Sequence, residues 1–540
     1  MSNGGNPRMP SSRIRRAWLA TAATAALAFT GLVAPAQAED LPPDLSGSWV
    51  QEPRATGGTP SSFGSRAAVT PGGEASPGDF TLSPGDLNAE TTRRVARLDA
   101  VLPTSGGVQK LLAGANRTVQ PWCSRDPFGT ASDPDVKYCL QDDDSVSQEW
   151  VPQGFTGVSD AKENELWGEA GDIQLFASYD GWDPGRENDP LPTAGDCTPA
   201  ELEANDACNQ KGVRITFVQS RTNPATGRTE VKYRHVLLGW TYVNSADHVS
   251  FDGLHSAEYP IQKGVHAGGI VWYGNYLYVA DTRNGMRVFD MRSIMDLDPD
   301  GDPRTHDAMG TDTDGVKTTA NVEDKTKVGR HDNVWYSFGY RYVMPQVAAW
   351  KFKATQSNPK GSYACVSAGA PKASYISLDR STRPDRLIMG EYCRPESGYP
   401  STGRIASYPV AALEGRSADV AAEGWANYLP LVGGGAQGAA VHEGTLYLNE
   451  SKGTDEPGNL WRYTWSDGRL VQKGQPVKTA RGAEDLYIER GTGRLWSLSE
   501  HRPGAASDCT ATRDTADPVG TDYCQRVLYG HKLSWLDSRP

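Results

Sequence analysis

The sequence has no second long apolar stretch after its N-terminal one, and basic residues are scarce. No later run approaches the roughly 18 apolar residues of a membrane-spanning helix, so we expect no membrane span in the mature protein. The 540 residues include 54 Lys and Arg against 66 Asp and Glu, a net charge of −12. Because nucleic-acid binding needs a basic face, we expect no nucleic-acid partner.

Three motifs of well-known enzyme classes are also missing. The chain has no HExxH metal motif, no serine nucleophile elbow and no CxxC-like cysteine spacing. Zinc-peptidase chemistry, serine-triad hydrolysis and cysteine-bound zinc therefore have no support in the sequence. Whether the chain is an enzyme stays open at this point.

Residues 1–38 have the pattern of an export signal. Three arginines precede an Ala- and Leu-rich run over 17–33, and Ala-Gln-Ala at 36–38 offers small residues for cleavage. General secretion and twin-arginine export both fit, with Trp18 where Phe is common. The sequence thus predicts a signal peptide over 1–38 and a secreted, extracellular protein. Loss of this segment leaves 50 basic against 66 acidic residues, a balance that keeps a secreted protein soluble.

Eight cysteines fall into four pairs of sequence neighbours. In an oxidising compartment such spacing predicts disulfides between successive cysteines, each pinning a loop. The predicted pairs are Cys123 with Cys139, Cys197 with Cys208, Cys365 with Cys393, and Cys509 with Cys524.

The residue pattern favours an all-β fold. Fifteen Trp, 22 Tyr, 58 Gly and 36 Pro are typical of many short strands and turns. From Gln153 onward, short alternating runs follow one another without intervening amphipathic helices of normal length. A parallel βαβ sheet is therefore not expected.

A weak internal repeat favours a β-propeller over a sandwich. Three segments share a polar start, small residues, a strand, a Gly-containing turn and an aromatic strand: "HAGGIVWYGNYLYVAD" at His266, "AQGAAVHEGTLYLNES" at Ala436 and "AEDLYIERGTGRLWSLSE" at Ala483. "PQGFTGVSDA" at Pro152 keeps the opening. The spacing fits four-stranded blades, and we predict five to seven of them.

The domain boundaries follow from these patterns. After the signal, 39–120 is Gly- and Pro-rich, and we expect Arg54–Pro84 to be poorly ordered. The stretch 88–101 predicts one amphipathic helix with Val95, Leu98 and Val101 on one face, a short helical strap. Residues 121–540 form the predicted propeller, with an Asp-rich insertion near 296–315.

The repeat places polar residues at the starts of the innermost strands, facing the propeller axis. They are Gln153, His266, Gln437 and Glu484, with Asp485 beside the last. Such a ring suits a metal ion or a ligand, and Glu484, Asp485 and His266 are the catalytic candidates. The alternative is structural, in which these residues bond backbone groups and seal the channel with water.

Acidic and aromatic residues elsewhere offer further candidates. Asp281, Glu450 and Glu500 end second strands, where two carboxylates across a funnel suit acid–base chemistry, or simply occupy turns. Trp167 and Trp182 are predicted to stand in loops and to stack against sugar rings, although most aromatics of a blade are core residues.

The segment "DLDPDGDPRTHD" has calcium-loop spacing. Asp296, Asp298, Asp300 and Asp302 alternate, a glycine occupies the sixth place, and Asp307 is the twelfth residue. Asp replaces the usual final Glu, and two prolines are unusual. The segment predicts a structural Ca²⁺ site, with a solvated acidic insertion as the alternative.

Several segments resemble a family of secreted actinobacterial, propeller-like proteins. They include "VHAGGIVWYGNYLYVADTRNGMRVFDMRSI", "SYISLDRSTRPDRLIMGEYC" and "GAEDLYIERGTGRLWSLSEH". The resemblance runs from about residue 120 to the C-terminus and implies a propeller but no catalytic residue. The Asp-rich insertion departs from the family pattern. A looser likeness, in the polar strand starts alone, links the chain with metal-dependent lactonase propellers.

The leading functional hypothesis is a secreted propeller that binds or processes an extracellular carbohydrate-like or polymeric substrate. As an enzyme it would be a hydrolase or lyase acting in the propeller funnel. One alternative is a non-catalytic interaction scaffold, since no tight catalytic motif is present. Another is a metal-dependent lactonase or phosphoesterase that uses Glu484, Asp485 and His266. A small-molecule ligand is an alternative to a polymer, and we expect a monomer.

Overall fold

Strands are the predominant secondary structure of the described residues, which confirms the predicted mostly-β class. The structure is a computed structural model and describes 69–119, 128, 134–145, 147, 149–168, 171–181, 210–223, 225–256, 263–282, 284–355, 363–394, 402–431, 434–453, 456–501 and 526–540. The predicted signal over 1–38, Trp182 and five of the eight cysteines lie outside these residues.

The N-terminal segment packs along the outside of the sheets. It contains a 3₁₀ turn Pro77–Phe80, strand β1 (Leu82–Pro84), helices α1 (Asn88–Val101) and α2 (Val108–Ala113), and strand β2 (Arg117–Thr118). The predicted helix over 88–101 is confirmed, with its three predicted apolar residues buried. Its role as a strap stays a prediction. None of the described helices is both long and apolar enough to cross a bilayer.

The expectation of poor order over Arg54–Pro84 is wrong for its described part. Phe80 is fully buried, and its carbonyl accepts a hydrogen bond of 2.6 Å from the Tyr408 hydroxyl. Leu82 is also fully buried and exchanges backbone hydrogen bonds with Val420. Local composition predicts disorder here, but tertiary contacts order the segment.

The first two sheets each consist of antiparallel strands, and they are joined to each other at their outer strands. After β3 (Val136–Cys139), the first sheet contains β4 (Trp150–Gly157), β5 (Asp172–Asp180), β6 (Val213–Thr222) and β7 (Thr229–Val243). Three short strands connect the first sheet to the second along the chain: β8 (Val249–Gly253), β9 (His255–Ser256) and β10 (Lys263–Gly264). The second sheet contains β11 (Ile270–Tyr273), β12 (Tyr276–Asp281) and β13 (Gly285–Asp290).

The Asp-rich insertion is larger than predicted and has strands of its own. It contains β14 (Met295–Asp296), β15 (Asp307–Thr311), β16 (Lys317–Ala320), β17 (Val328–His331) and β18 (Val334–Ser337). The last four of these form a separate sheet. The chain then returns as β19 (Tyr342–Phe352), which completes the second sheet and pairs in parallel with β7.

Three further sheets follow in chain order. The third contains β20 (Tyr375–Asp379), β21 (Arg386–Gly390), β22 (Arg404–Pro409) and β23 (Ala426–Tyr428). The fourth contains β24 (Ala436–His442), β25 (Thr445–Glu450), β26 (Asn459–Ser466), β27 (Arg469–Gln472) and β28 (Val477–Lys478). The fifth contains β29 (Tyr487–Glu489), β30 (Arg494–Leu498) and β31 (Val527–Lys532).

An N-terminal strand completes the last sheet. β3 pairs antiparallel with β31, from Val136 opposite Gly530 to Cys139 opposite Val527. The sequence did not predict this strand, because "VKYC" is too short to show alternation. Its pairing closes the fold by joining residues almost 400 positions apart, and Tyr138 stacks on Trp496 at 5.7 Å within it.

The first strands of the described sheets, β4, β11, β20, β24 and β29, contact one another in a closed ring. Glycines allow these backbones to meet. The Gly154 N–H donates to the Ala267 carbonyl at 3.1 Å, and a Cβ added to Gly269 would lie 2.0 Å from the Ile376 nitrogen. Between β24 and β29, a Cβ on Gly438 would lie 2.7 Å from the Asp485 Cα. The resulting architecture is propeller-like.

Apolar side chains fill the space between neighbouring sheets. Val271 and Tyr278 of the second sheet belong to the same buried cluster as Ile376 and Leu387 of the third. Burying a side chain of this size contributes about 1.5–3 kcal/mol. The alternation predicted from the sequence therefore fixes which face of each sheet meets its neighbour.

One predicted disulfide is confirmed within the described residues. Cys365 and Cys393 are bonded, with their Cα atoms 5.5 Å apart. Cys139 is also disulfide-bonded. The pairs Cys197 with Cys208 and Cys509 with Cys524 lie outside the described residues, as does Cys123, and stay predictions.

The ring predicts that Gly269→Ala destabilises the protein. The added methyl group would force β11 away from β20, so we expect a loss of about 2–3 kcal/mol or more in the free energy of unfolding, measured by urea denaturation. Gly415→Ala is the control, because its nearest contact would be 3.9 Å away, and should change stability by less than about 0.5 kcal/mol. Equal unfolding midpoints for the two variants would contradict the ring packing.

Candidate functional site

Two glutamates meet at the end of the fifth sheet. Glu484 precedes β29 and is 1% exposed, whereas Glu500 follows β30 and its side chain is 19% exposed. Their carboxyl groups lie close enough to share a hydrogen bond when one of them is protonated. We call these two glutamates the acid pair.

Two glutamines from other sheets hold this acid pair. The Gln153 amide nitrogen, on β4, donates to Glu500 Oε2 at 2.9 Å. The Gln437 amide nitrogen, on β24, donates to Glu484 Oε1 at 3.0 Å. Glu500 therefore brings together three of the residues predicted to face the propeller axis: Gln153, Gln437 and Glu484.

Backbone contacts fix the position of both glutamates. The Glu484 carbonyl accepts from the Asn449 amide at 2.6 Å and from the Ser497 hydroxyl at 3.2 Å. The Glu500 carbonyl accepts from Arg526 Nε at 2.8 Å. The acid pair thus lies beside the ends of β29 and β30, the first and second strands of the fifth sheet.

Burial and the charge of Glu500 favour the protonated form of Glu484. Burial raises the pKa of Glu484 well above its usual value, and the charge of Glu500 and the hydrogen bond to it raise the pKa further. The hydrogen bond from Gln437 opposes this rise only in part. Glu484 is therefore the proton carrier of the pair.

An aromatic stack lies beside the acid pair. Tyr179, on β5, stacks on His266 with ring centres 4.5 Å apart and planes 9° from parallel. Burial raises the pKa of the Tyr179 hydroxyl, and Glu500 and Glu484 raise it further. The fourth axial residue, His266, thus joins the same region through Tyr179.

Two segments joined by the disulfide between Cys365 and Cys393 lie on the other side of the site. The Arg394 guanidinium donates to the Tyr392 hydroxyl at 2.6 Å and lies 4.9 Å from the ring centre of Tyr363, which is 53% exposed. Burial raises the pKa of Tyr392, while Glu484 and Glu500 also raise it. The disulfide between Cys365 and Cys393 ties the segments that carry these rings.

Asp485 has a different role from its neighbour. It is fully buried, and its Oδ2 accepts from the backbone N–H of Phe155 at 3.0 Å and of Ile270 at 3.4 Å. Burial raises its pKa well above the usual value. Asp485 therefore joins β4 and β11 to the start of β29, which matches the structural alternative for this position.

The other predicted candidates lie away from the acid pair or outside the described residues. Trp167 packs against Trp272 at 4.6 Å, with Lys162 over its ring at 4.7 Å. Asp281 is paired with Arg287 at 2.6 Å. Glu450 accepts from Lys452, from Asn459 and from Trp461. Trp182 is outside the described residues.

The predicted calcium ligands divide into two sets. Carboxylate oxygens of Asp298, Asp300 and Asp307 lie within 4.8 Å of one another. Asp296 instead forms a two-point ion pair with Arg341 at 2.7 and 2.8 Å. Asp302 binds Arg304 at 3.1 Å and lies outside the three-carboxylate group.

The sequence indicated only part of this site. Glu500 was one of three strand-end acids of equal standing, and Tyr179, Tyr363, Tyr392 and Arg394 were not singled out. Tyr179 stands at the end of a second strand outside the repeat register. Tyr363, Tyr392 and Arg394 lie within two residues of Cys365 or Cys393, so the cysteine pair was the one local signal that their segments meet.

No family model and no curated protein matches the chain. Among solved structures, β-xylosidase RS223 is 10% identical over 70% of this chain and 91% of its own, with a TM-score of 0.30. A GH43_1 enzyme from Xanthomonas citri complexed with xylotriose is 10% identical over 72% of this chain and 88% of its own, with a TM-score of 0.29. PhoX from Pseudomonas fluorescens in complex with vanadate is 10% identical over 78% of this chain and 98% of its own, with a TM-score of 0.33. These values are too low to transfer an activity to this chain, and the actinobacterial resemblance stays a prediction.

Substitutions at Asp485 separate a structural from a catalytic role. Asp485→Ala leaves two buried backbone N–H groups without an acceptor, and we expect the free energy of unfolding to fall by about 2–4 kcal/mol. Asp485→Asn keeps an oxygen for both donors and should cost about 1 kcal/mol. Urea denaturation measures both. Equal losses in the two variants would refute the bridging role.

The raised pKa of Glu484 predicts a pH-dependent stability. A carboxyl group whose pKa is raised in the folded protein contributes its full stabilisation below its pKa in the unfolded chain, near 4.5 for Glu484. This contribution is lost as the pH rises towards the pKa in the folded protein. Within that window each pH unit costs at most about 1.4 kcal/mol. Glu484→Gln is neutral at every pH, so its stability relative to wild type should rise between pH 5 and pH 9.

Thermal unfolding at pH 5, 7 and 9 measures this difference. Glu414→Gln is the matched control, since Glu414 is exposed on the outer helix Val410–Gly415. It should follow the wild-type pH curve. Parallel curves for Glu484→Gln and wild type would show that Glu484 ionises normally in the folded protein.

Proposed function

We propose that the chain is an exported, five-bladed propeller that binds and cleaves a carbohydrate-like extracellular ligand at the acid pair. The observation that carries the functional part is the Glu484–Glu500 pair, held by Gln437 and Gln153, beside the Tyr179–His266 stack. The five-blade count is supported by the closed ring of first strands and by the pairing of β3 with β31. Export is supported by the pattern of 1–38 and by the Cys365–Cys393 disulfide.

The groups around the acid pair favour an uncharged, hydroxyl-rich ligand. With Glu484 protonated, the pair carries a single negative charge, and Arg394 supplies a nearby positive one. Carboxyl, amide and phenol groups offer both donors and acceptors to sugar hydroxyls. The exposed ring of Tyr363 provides the apolar face on which such a ligand packs.

The acid pair contains the two groups that a hydrolytic step requires. Glu484 gives its proton to the leaving oxygen as the carbon–oxygen bond breaks. Glu500 takes a proton from the attacking water, whose oxygen bonds to the same carbon. Glu500 is then protonated and Glu484 ionised, and their hydrogen bond returns the proton to Glu484.

The spacing of the pair distinguishes this proposal from ordinary glycoside hydrolysis. Retaining glycosidases need carboxyl groups about 5–5.5 Å apart and inverting ones about 6.5–9.5 Å. Hydrogen-bonded carboxyl groups are closer than either. Both groups therefore lie on one side of the scissile bond, so the carbon–oxygen bond breaks to an oxocarbenium-like state before water adds to the carbon from the same side.

A glycan array and a product assay on the same polysaccharides test the proposal. We expect wild-type protein to bind at least one glycan class and to release reducing ends from it. Glu500→Gln should retain binding within a few-fold and lose about 10²-fold or more in turnover, because the base is removed. Glu484→Gln should lose turnover similarly, since an amide donates no proton.

Glu414→Gln is again the control, with the same chemical change on an exposed outer helix, and should keep full activity. Absence of both binding and turnover would overturn the proposal. Binding with equal turnover by wild type and both active-site variants would refute the role of the pair. Binding without turnover would refute cleavage and favour the scaffold alternative.

A metal-dependent lactonase or phosphoesterase has less support from the geometry. Asp485 uses its Oδ2 for backbone N–H groups, and His266 stacks on Tyr179. Among the described residues, the groups of three or more potential metal ligands within 4.8 Å do not include Glu484, Asp485 or His266.

A further inference from the structure

The loop between β14 and β15 is held at both ends and turns sharply in the middle. Asp296 pairs with Tyr342 of β19, and Asp307 begins β15 opposite Ala320. Gly301 has a φ of +81°, a conformation that favours glycine. These constraints bring Asp298, Asp300 and Asp307 together at one end of the insertion sheet.

Negative charge is concentrated in this group without enough cations to balance it. Arg341 is engaged by Asp296 and approaches Asp298 Oδ2 only to 3.7 Å, while Arg304 is engaged by Asp302. The three remaining carboxylates have their oxygens within 4.8 Å of one another. Such close carboxylates repel one another unless a proton or a cation lies between them.

Hydrogen-bond donors are also too few for this group. The Thr305 hydroxyl lies 3.1 Å from Asp300 Oδ2 and 3.1 Å from Asp307 Oδ1, and 2.9 Å from the Asp302 carbonyl. A hydroxyl has a single hydrogen to share among these acceptors. The Asp300 N–H donates to Asp307 Oδ2 at 3.2 Å, and the Asp302 N–H donates to Asp300 Oδ1 at 2.8 Å. No such donor reaches Asp298 Oδ1.

A buried oxygen of Asp298 provides the independent observation. Asp298 is 6% exposed, and its Oδ1 has no hydrogen-bond partner. A buried acceptor without a donor is costly, and a bound cation would satisfy it.

We propose that Asp298, Asp300 and Asp307 bind one Ca²⁺ ion, and that Asp296 and Asp302 are not ligands. Oxygen ligands of Ca²⁺ lie about 2.3–2.6 Å from the ion, so ligands on opposite sides are about 5 Å apart, consistent with the spacing here. Water completes the shell on the exposed side at Asp300. Asp296 orients the loop through Arg341. The site is separate from the acid pair, so it holds or fails independently of the proposed function.

Calorimetric titration of the purified, EDTA-treated protein with CaCl₂ tests this site. We expect one ion per chain with a dissociation constant on the order of 0.1–1 mM, the range of extracellular calcium modules. Asp298→Asn and Asp300→Asn should each weaken binding about tenfold or more. MgCl₂ should bind more weakly, because Mg²⁺ prefers shorter, octahedral coordination.

Asp302→Asn is the matched control, because it removes the same charge from the same loop but not from the proposed shell. Its affinity for CaCl₂ should stay within about twofold of wild type. Asp300 is exposed, so Asp300→Asn tests the site even if Asp298→Asn folds poorly. No binding at 10 mM CaCl₂, tighter binding of MgCl₂, or an Asp302→Asn loss as large as that of Asp300→Asn would overturn the proposal.

Discussion

The structure depends on backbone contact between the first strands of its sheets. Gly154, Gly269 and Gly438 carry no side chain towards the neighbouring strand, so the strands approach until backbone atoms touch. This contact leaves no room for side chains at the centre of the ring. Gln153 and Gln437, which are adjacent to Gly154 and Gly438, hold the acid pair next to this contact.

The adjacent residues Glu484 and Asp485 have different roles, one chemical and the other structural. Successive side chains of an extended segment point to opposite sides. Asp485 faces the neighbouring strands and accepts their N–H groups, while Glu484 faces Gln437 and Glu500. Both carboxyl groups are buried, but only Glu484 has a second carboxyl partner with which to exchange a proton. Proton transfer is thus available to one of the two.

The sequence predicted the parts of this arrangement that repeat locally. The polar starts at Gln153, His266, Gln437 and Glu484 stand at corresponding places before a strand, and this repeat predicted the strands and their inward ends. The repeat did not include the third sheet, where Lys372 precedes β20. Its Nζ donates to the Ala364 carbonyl at 2.6 Å, outside the acid pair.

Contacts between distant segments leave no periodic signal. Glu500 became distinct from Glu450 only through its partners: Glu450 is satisfied by side chains of its own sheet, whereas Glu500 meets Gln153 from another sheet. The same holds for Asp296, which occupies the first place of the calcium pattern but is engaged by Arg341, a residue 45 positions away. A sequence pattern therefore gives the candidates for an acidic site, and the cations that compete for each carboxylate decide which of them are left to act.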